Sequence, residues 1–213
     1  MIEATPHPDL RMVVVIPCHD EPALVGALEQ LANCEPPLGQ AEVIVVINGS
    51  KKNDSDVTVQ NLYTLCETTD WLDERRGHWL PIHLLHLPKL PPKHAGVGQA
   101  RKIGMDEALR RLADVGQAED GLLVCYDADC RCSGNYFTGI ESHFAAQPNA
   151  PGCSIHFEHP LDAGEWAALG FGDDAPSQTL FDGIAAYELH LRYHVLAQKF
   201  IGFPYGFHTC LRY

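Results

Sequence analysis

Residues 121–129 have the sequence GLLVCYDAD, an apolar run that ends in two aspartates separated by one residue. An uninterrupted apolar run bounded by polar residues is typical of a strand buried on both faces of a parallel sheet. The same pattern occurs in MVVVI at residues 12–16 and in EVIVVI at residues 42–47. Residues 82–87 and 154–157 are further strand candidates. These segments predict a mostly parallel sheet.

Helical patterns separate the predicted strands. Apolar residues recur at helical spacing in residues 99–115, and residues 136–146 and 178–200 are also predicted to be helices. Residues 88–92 contain three prolines and are predicted to form a loop, and residues 1–10 a loose arm. Strands that alternate with helices indicate an α/β fold with right-handed crossovers. At 213 residues, the chain is expected to form one domain, or at most two small ones.

Charge and composition exclude some classes of protein. The net charge of −13 argues against a protein that binds duplex nucleic acid, because such binding depends mostly on neutralised phosphates. The longest apolar run near the amino terminus is residues 12–16, far short of the ~20 residues that a membrane span needs. The eight cysteines lie mostly in apolar stretches, which favours a reducing, cytoplasmic location. A zinc site at Cys130 and Cys132 lacks a second ligand pair.

Candidate chemistry lies where the strands end, because ligands of open α/β sheets bind beyond the carboxyl ends of the strands. Polar or glycine-rich segments follow the first four strands: PCHDE at 17–21, NGS at 48–50, HAGVG at 94–98 and DAD at 127–129. Asp127 and Asp129 can share one hard divalent cation, such as Mg²⁺ or Mn²⁺, whose remaining ligands come from substrate phosphates. The alternative is a solvated acidic turn.

Residues 96–101, GVGQAR, approach a dinucleotide-binding fingerprint but do not complete it. Arg101 stands where the third glycine belongs, and a proline-rich loop precedes the segment instead of a strand. The segment is instead interpreted as a glycine-rich loop that leads into a helix, with Arg101 and Lys102 near the amino terminus of that helix. Cations oppose the helix dipole there, so the pattern favours a bound anion. Two solvated surface cations are the alternative.

Other polar residues are weaker indicators of a metal or catalytic site. His190 and His194 lie four residues apart on a predicted helix, which is more often a polar face than a metal site. His156 and His159 flank the end of a predicted strand. No serine or cysteine nucleophile can be paired with a base from its spacing.

Four segments together resemble the family 2 glycosyltransferases of the GT-A fold. The matching segments are VVVIPCHDE (13–21), EVIVVINGS (42–50), GQARK (98–102) and VCYDAD (124–129). They occur in the family's order, at roughly its spacing, and cover about the first 145 residues. The resemblance implies a nucleotide-diphospho-sugar transferase fold, with a Rossmann-like, mostly parallel sheet and helices on both faces.

The resemblance also implies a function. The family transfers a sugar from a nucleoside-diphosphate sugar to an acceptor, here an unknown sugar, lipid or small molecule. Pro17 and Glu21 would border the nucleoside pocket, Asn48 would lie near the base, and Arg101 near the ribose or diphosphate. The two aspartates of residues 127–129 would be the metal-binding DxD motif, with Mn²⁺ or Mg²⁺ as the cofactor.

Two departures from the family's pattern leave alternatives open. Ile47 stands where the family often has an acidic residue, which leaves base recognition undecided. Residues 11–145 match the donor-binding half, whereas residues 146–213 are expected to be an incomplete acceptor-side region of a truncated chain. Asp173, Asp174 and Asp182 are candidate bases without a spacing argument. The alternative function is a non-catalytic nucleotide-sugar-binding module. A nucleotidyltransferase is disfavoured because no glycine follows the first strand.

Overall fold

A computed structural model of the chain describes residues 1–169, 176–201 and 209–212. The chain divides into two compact units, which are Met1–Cys153 with Cys210–Tyr213, and Ser154–Thr209. The strands and helices follow in this order: β1 (Leu10–Cys18), α1 (Leu24–Ala32), β2 (Gln40–Ser50), α2 (Ser55–Glu74), β3 (Ile82–Leu90), a 3₁₀ turn (Pro92–His94), α3 (Val97–Asp114), β4 (Leu122–Cys125), α4 (Tyr136–Ala146), β5 (Gly152–Ser154), α5 (Ala163–Ala168), α6 (Gln178–Ile201) and β6 (Thr209–Arg212).

The sheet has the strand order β3-β2-β1-β4-β6-β5. Strand β1 pairs in parallel with β2 and β4, and β2 pairs in parallel with β3. Val15 lies opposite Ile44 on one side and Cys125 on the other, so the ends of β1, β2 and β4 come together. Strand β6 runs antiparallel to β4. The predicted α/β class with a mostly parallel sheet is confirmed.

Helix α3 packs closely against one face of this sheet. Ala100, Ala108 and Leu112 of the helix are buried in a cluster with apolar side chains of β1, β2 and β4. Between them, a Cβ atom on Gly104 would overlap Val15 Cγ1 and lie 3.2 Å from Val46 Cγ2. The absence of a side chain at Gly104 therefore lets the helix backbone approach the sheet, one turn beyond Arg101.

A buried ion pair fixes the far part of α3 to β2. Arg111 donates to Glu42 through both Nε (2.6 Å, to Oε2) and Nη2 (2.9 Å, to Oε1), and both side chains are almost fully buried. Burial raises the pKa of Glu42, but hydrogen bonds with His83 and Arg111 outweigh it and lower the pKa to about 2. Glu42 is therefore ionised throughout the neutral range.

The amino-terminal arm has no helix or strand before Leu10, but it is not loose. Arg111 Nη1 donates to the carbonyl oxygen of Ala4 at 2.7 Å. The amide of Ile2 donates to Glu107 Oε1 at 2.8 Å. The arm is held because it supplies hydrogen-bond partners to polar groups of α3, which its own sequence does not reveal.

Two other local predictions are wrong. The segment with three prolines is only partly a loop, because β3 continues through Pro88 to Leu90 and pairs with Ser50. Strand β3 lies at the edge of the sheet, where a residue without an N–H group is tolerated. The strand predicted for residues 154–157 instead ends at Ser154, since β5 spans Gly152–Ser154. The remaining predicted strands and helices are present, with ends shifted by a few residues.

Within residues 1–169, 176–201 and 209–212, no helix combines the length and the apolar character needed to cross a membrane.

Candidate functional site

A cleft of about 400 Å³ opens at the carboxyl ends of β1, β2 and β4 and at the start of α3. The resemblance places six residues around the donor, and all of them lie on the wall of this cleft: Pro17, Glu21, Asn48, Arg101, Asp127 and Asp129. The lining residues are Pro17, Cys18, His19, Glu21, Asn48, Val97, Arg101, Asp127, Ala128 and Asp129. Segments separated by up to about 110 residues in the chain thus form one site, because β1, β2 and β4 are parallel neighbours and α3 packs against them.

The wall at the end of β1 depends on a turn at Asp20. Asp20 has a φ of 53°, the left-handed region that only a few residue types other than glycine adopt readily. Its amide donates to Asn61 Oδ1 at 2.8 Å, which stabilises the turn. The next residue, Glu21, accepts a hydrogen bond from the amide of Ala23 at Oε1 (2.7 Å). The turn therefore places the Glu21 carboxylate on the wall of the cleft just ahead of α1.

Cys18 also lines this wall, but it is a poor nucleophile. Burial, and then the charge of Glu21, raise the pKa of its thiol to about 12. Because the thiolate is the reactive form, Cys18 serves as a small apolar wall residue.

Asn48, near the end of β2, is buried. Its Nδ2 donates to the carbonyl oxygen of Ala95 at 2.6 Å. Its backbone carbonyl accepts from His19 Nδ1 at 2.8 Å and from Asn61 Nδ2 at 3.1 Å. Within the described part of the chain, Asn48 Oδ1 has no hydrogen-bond partner. A buried acceptor without a partner is rare, and on the wall of a cleft it is suited to a ligand N–H or O–H group.

Arg101, in the second turn of α3, forms an ion pair with Asp127, just beyond the end of β4. The distance from Nη2 to Oδ1 is 2.7 Å, and each side chain is about two-thirds buried. Among the described residues, Arg101 Nε is buried and has no partner. The sequence predicted a bound anion beside Arg101 at a helix start. The helix begins earlier, at Val97, and the anion beside Arg101 is the carboxylate of Asp127. The pair therefore connects the DAD segment at 127–129 with the glycine-rich segment at 96–101, the two segments that most strongly indicated a binding site.

The metal-binding potential of the cleft rests on two carboxylates. No group of three or more His, Cys, Asp or Glu side chains within the described ranges is arranged to hold a metal ion. Asp127 and Asp129 both line the cleft, and Asp129 is exposed. Two carboxylate donors suit Mg²⁺ or Mn²⁺ when oxygen atoms of a bound molecule complete the coordination.

The weaker candidates fall in the second unit or outside the described residues. His159 Nδ1 hydrogen-bonds to Glu188, a buried residue on α6, and His156 lies 3.3 Å from Glu158. Asp182 is exposed and accepts a hydrogen bond from Gln178. Asp173 and Asp174 lie outside the described residues, as does the side chain of His194.

Sequence reasoning missed His19 as an individual site residue. Its Nδ1 must carry a proton to donate to the Asn48 carbonyl, so the neutral ring presents Nε2 as an acceptor. A polar residue immediately after a buried strand was the available signal. Val97 and Ala128 also line the cleft, and their residue types carry no such signal.

The sequence matches no protein-family model and no curated protein sequence. The fold is similar to that of TarS residues 1–349 from S. aureus, with 15% identity over 72% of this chain and 39% of that chain, and a TM-score of 0.45. The same region of TarS in complex with UDP-GlcNAc has 13% identity, covers 72% and 38% of the two chains, and has a TM-score of 0.46.

A further similar structure is the mannosyltransferase PcManGT from Pyrobaculum calidifontis in complex with GDP-Man and Mn²⁺. It has 19% identity over 75% of this chain and 39% of that chain, with a TM-score of 0.47. The chain spans about two fifths of the length of these structures.

Proposed function

We propose that the cleft binds a nucleoside-diphosphate sugar and that the chain is the donor-binding part of a glycosyltransferase. The observation that carries the proposal is the convergence of Pro17, Glu21, Asn48, Arg101 and the two aspartates of residues 127–129 on one cleft of about 400 Å³. A volume of this size suits a small ligand. The cleft also offers a cation for the diphosphate, carboxylates for a metal ion and for hydroxyl groups, and a neutral polar side chain for the base.

The nucleoside is proposed to lie against Pro17, with its base near Asn48. The partnerless Oδ1 of Asn48 accepts a hydrogen bond from an N–H group of the base. His19, held by the Asn48 carbonyl, adds a second polar group on the same wall. Glu21 borders the ribose, whose hydroxyl groups donate to its carboxylate.

The diphosphate is proposed to lie between Arg101 and the DxD aspartates. Arg101 binds the phosphate oxygens through charge-assisted hydrogen bonds, and the backbone amides of the preceding turn, where α3 begins, also favour an anion. Asp127 and Asp129 would hold Mn²⁺ or Mg²⁺. When bound, that ion would neutralise the charge that develops on the leaving diphosphate.

Transfer of the sugar needs a base that accepts the proton of the acceptor hydroxyl. Among the described residues that line the cleft, the side chains that could accept a proton are Glu21, His19 and the two aspartates of residues 127–129, and the proposal assigns all four to the donor. This observation favours the second candidate function, in which the 213-residue chain binds the donor but transfers sugar slowly or not at all. The acceptor would be a sugar, a lipid or a small molecule.

Calorimetric titration with UDP and GDP, each with Mn²⁺ or with EDTA, tests the binding proposal. We expect micromolar binding of at least one nucleotide in Mn²⁺ and much weaker binding in EDTA. The absence of binding of both nucleotides in Mn²⁺, by a chain with a cooperative thermal transition, would refute it.

A donor-turnover assay with UDP- and GDP-sugars, Mn²⁺ and simple acceptors then separates the enzyme from the binding module. Turnover close to the ~10 s⁻¹ typical of enzymes would refute the module. It would also place the base among Asp173, Asp174 and Asp182, each of which can be replaced by Asn in the same assay.

A further inference from the structure

Two cysteine thiols from distant parts of the chain lie side by side in the first unit. Cys34 follows the end of α1, and Cys132 lies in the loop between β4 and α4. Their Sγ atoms are 3.6 Å apart, although 98 residues separate them in the sequence. Cys34 is buried, with 4% of its surface exposed, whereas Cys132 is half-buried.

The backbone holds these two segments together independently of the sulfur atoms. The amide of Glu35 donates to the carbonyl oxygen of Gly134 at 2.8 Å. Cys34 Sγ also lies 3.5 Å from the carbonyl oxygen of Ser133. A disulfide bond is about 2.05 Å long, so the sulfur atoms need to approach by only ~1.5 Å. Because the two segments are already hydrogen-bonded to each other, the disulfide does not have to bring them together.

The electrostatic environment makes Cys34 the more reactive of the two. The hydrogen bond between the two thiols lowers the pKa of Cys34, although burial acts in the opposite direction. The pKa of Cys132 is raised, first by the same hydrogen bond and then by burial. Cys34 is thus the nucleophile and Cys132 the thiol that resolves the oxidised intermediate.

We propose that Cys34 and Cys132 form a redox-sensitive pair that a small peroxide converts reversibly into a disulfide. The Cys34 thiolate attacks one oxygen of hydrogen peroxide, the O–O bond breaks, and Cys34 becomes a sulfenic acid while hydroxide leaves. Cys132 sulfur then attacks Cys34 sulfur, the S–O bond breaks, and the protons of the two thiols leave in two molecules of water. The two sulfur atoms give up two electrons, which reduce the peroxide. A dithiol reductant reverses the change.

The location of the pair gives the cross-link a structural consequence. Cys132 lies three residues after Asp129, and α1 begins three residues after Glu21. The disulfide would therefore tie the segment that follows the DAD turn to the end of α1. It would also close a loop of about 100 residues, which restricts the unfolded chain strongly.

The test uses the full chain, reduced and then treated with dilute hydrogen peroxide. Free thiols are blocked with N-ethylmaleimide, and non-reducing digestion with mass spectrometry identifies the linked peptides. We expect one dominant intramolecular link, Cys34 to Cys132, with a loss of about 2 Da from the intact chain. We also expect a thermal midpoint raised by at least about 5 °C and slower amide exchange in residues 130–135. Dithiothreitol should reverse all of these changes.

Cys132→Ser and Cys34→Ser should lose the link and the shift in the thermal midpoint, while Cys153→Ser, a half-buried cysteine in β5, should keep both. Peptide mapping of the unmutated chain keeps the test decisive if Cys34→Ser fails to fold. Sulfinic acid at Cys34, a link between Cys130 and Cys132, or unmodified thiols after peroxide treatment would each overturn the proposal. None of these readouts depends on nucleotide binding.

Discussion

Arg101 Nη2 lies 2.7 Å from Asp127 Oδ1, so the second turn of α3 and the segment just after β4 meet in an ion pair on the wall of the cleft. A cation that binds Asp127 must compete with this guanidinium. A diphosphate offers Arg101 alternative acceptors and thereby releases the Asp127 carboxylate. The pair therefore predicts that nucleotide and metal ion favour each other's binding.

Replacing Arg101 with alanine should weaken the binding of UDP or GDP in Mn²⁺ by about 10- to 150-fold. This range corresponds to ~1.5–3 kcal/mol, the contribution of a hydrogen bond to a charged group. Lys102→Ala is the matched control, because Lys102 is the next residue of the same helix but pairs with Asp106 and does not line the cleft. Calorimetric titration measures both variants. An equal loss of nucleotide affinity in the two variants would mean that Arg101 acts only through its positive charge and not through a direct contact.

The same Arg101→Ala variant should bind Mn²⁺ more tightly than the unmutated chain when no nucleotide is present. The reason is that Asp127 no longer has a competing guanidinium beside it. Mn²⁺ binding can be followed by electron paramagnetic resonance of the free ion. Weaker Mn²⁺ binding by the variant would contradict the competition described above.

Asp129→Ala should weaken nucleotide binding much more in Mn²⁺ than in EDTA, because the carboxylate is proposed to act through the metal ion. Asp70→Ala, which removes an exposed carboxylate from α2, should leave both affinities unchanged. Calorimetry in the two buffers provides the four comparisons. If Asp129→Ala lost the same affinity with and without Mn²⁺, the side chain would contact the nucleotide directly.

The ion pair of Glu42 and Arg111 should make the fold sensitive to acid. The pKa of Glu42 is lowered from 4.5 to about 2, so its contribution to stability is present above pH 4.5 and is lost as the pH falls toward 2. We expect a loss of about 3 kcal/mol across this range. Chemical unfolding of the unmutated chain and of Glu42→Gln at several pH values measures it.

Glu42→Gln should be less stable at neutral pH, because Arg111 loses its charged partner, and its stability should fall less steeply between pH 4.5 and 2. Parallel stability curves for the two proteins would show that Glu42 is not responsible for the acid sensitivity.

Gly104→Ala should destabilise the first unit by about 1–3 kcal/mol, the usual cost of forcing an extra group into a packed core. The added methyl group would overlap Val15 Cγ1. Gly139→Ala in α4 is the control, because its Cβ would have only one neighbour within 4 Å, Asn135 Nδ2 at 3.9 Å. That variant should gain about 0.5–1 kcal/mol from the lower flexibility of its unfolded chain. Urea unfolding distinguishes the two, and a gain of stability in both would show that the sheet accommodates the added methyl group at Gly104.

Several features of the fold follow from local sequence patterns. The strands around Val15, Ile44 and Val124 are continuous apolar runs, and such runs need no distant information to be recognised. Placing the site at their carboxyl ends follows from the parallel arrangement, and this is why the six predicted residues meet in one cleft.

Contacts between distant residues could not be predicted in the same way. Nothing in the sequence near Glu42 shows that Arg111, 69 residues later, will neutralise it in the core. Likewise, the pairing of Arg101 with Asp127 depends on how α3 lies against the sheet, which Gly104 decides through a contact with Val15. Pro88 misled the prediction because proline is excluded from central strands but not from an edge strand such as β3.

The close contact at Gly104 also constrains how the cleft can respond to a ligand. With its backbone against Val15 and Val46, α3 has no space to slide toward the sheet, and Arg101 sits only one turn away on the same rigid cylinder. Adaptation to a ligand must then come from rotation of the long Arg101 side chain and not from a shift of the helix axis. A ligand-bound structure should therefore superpose on this one along the main chain of α3 and differ in the torsion angles of a single arginine.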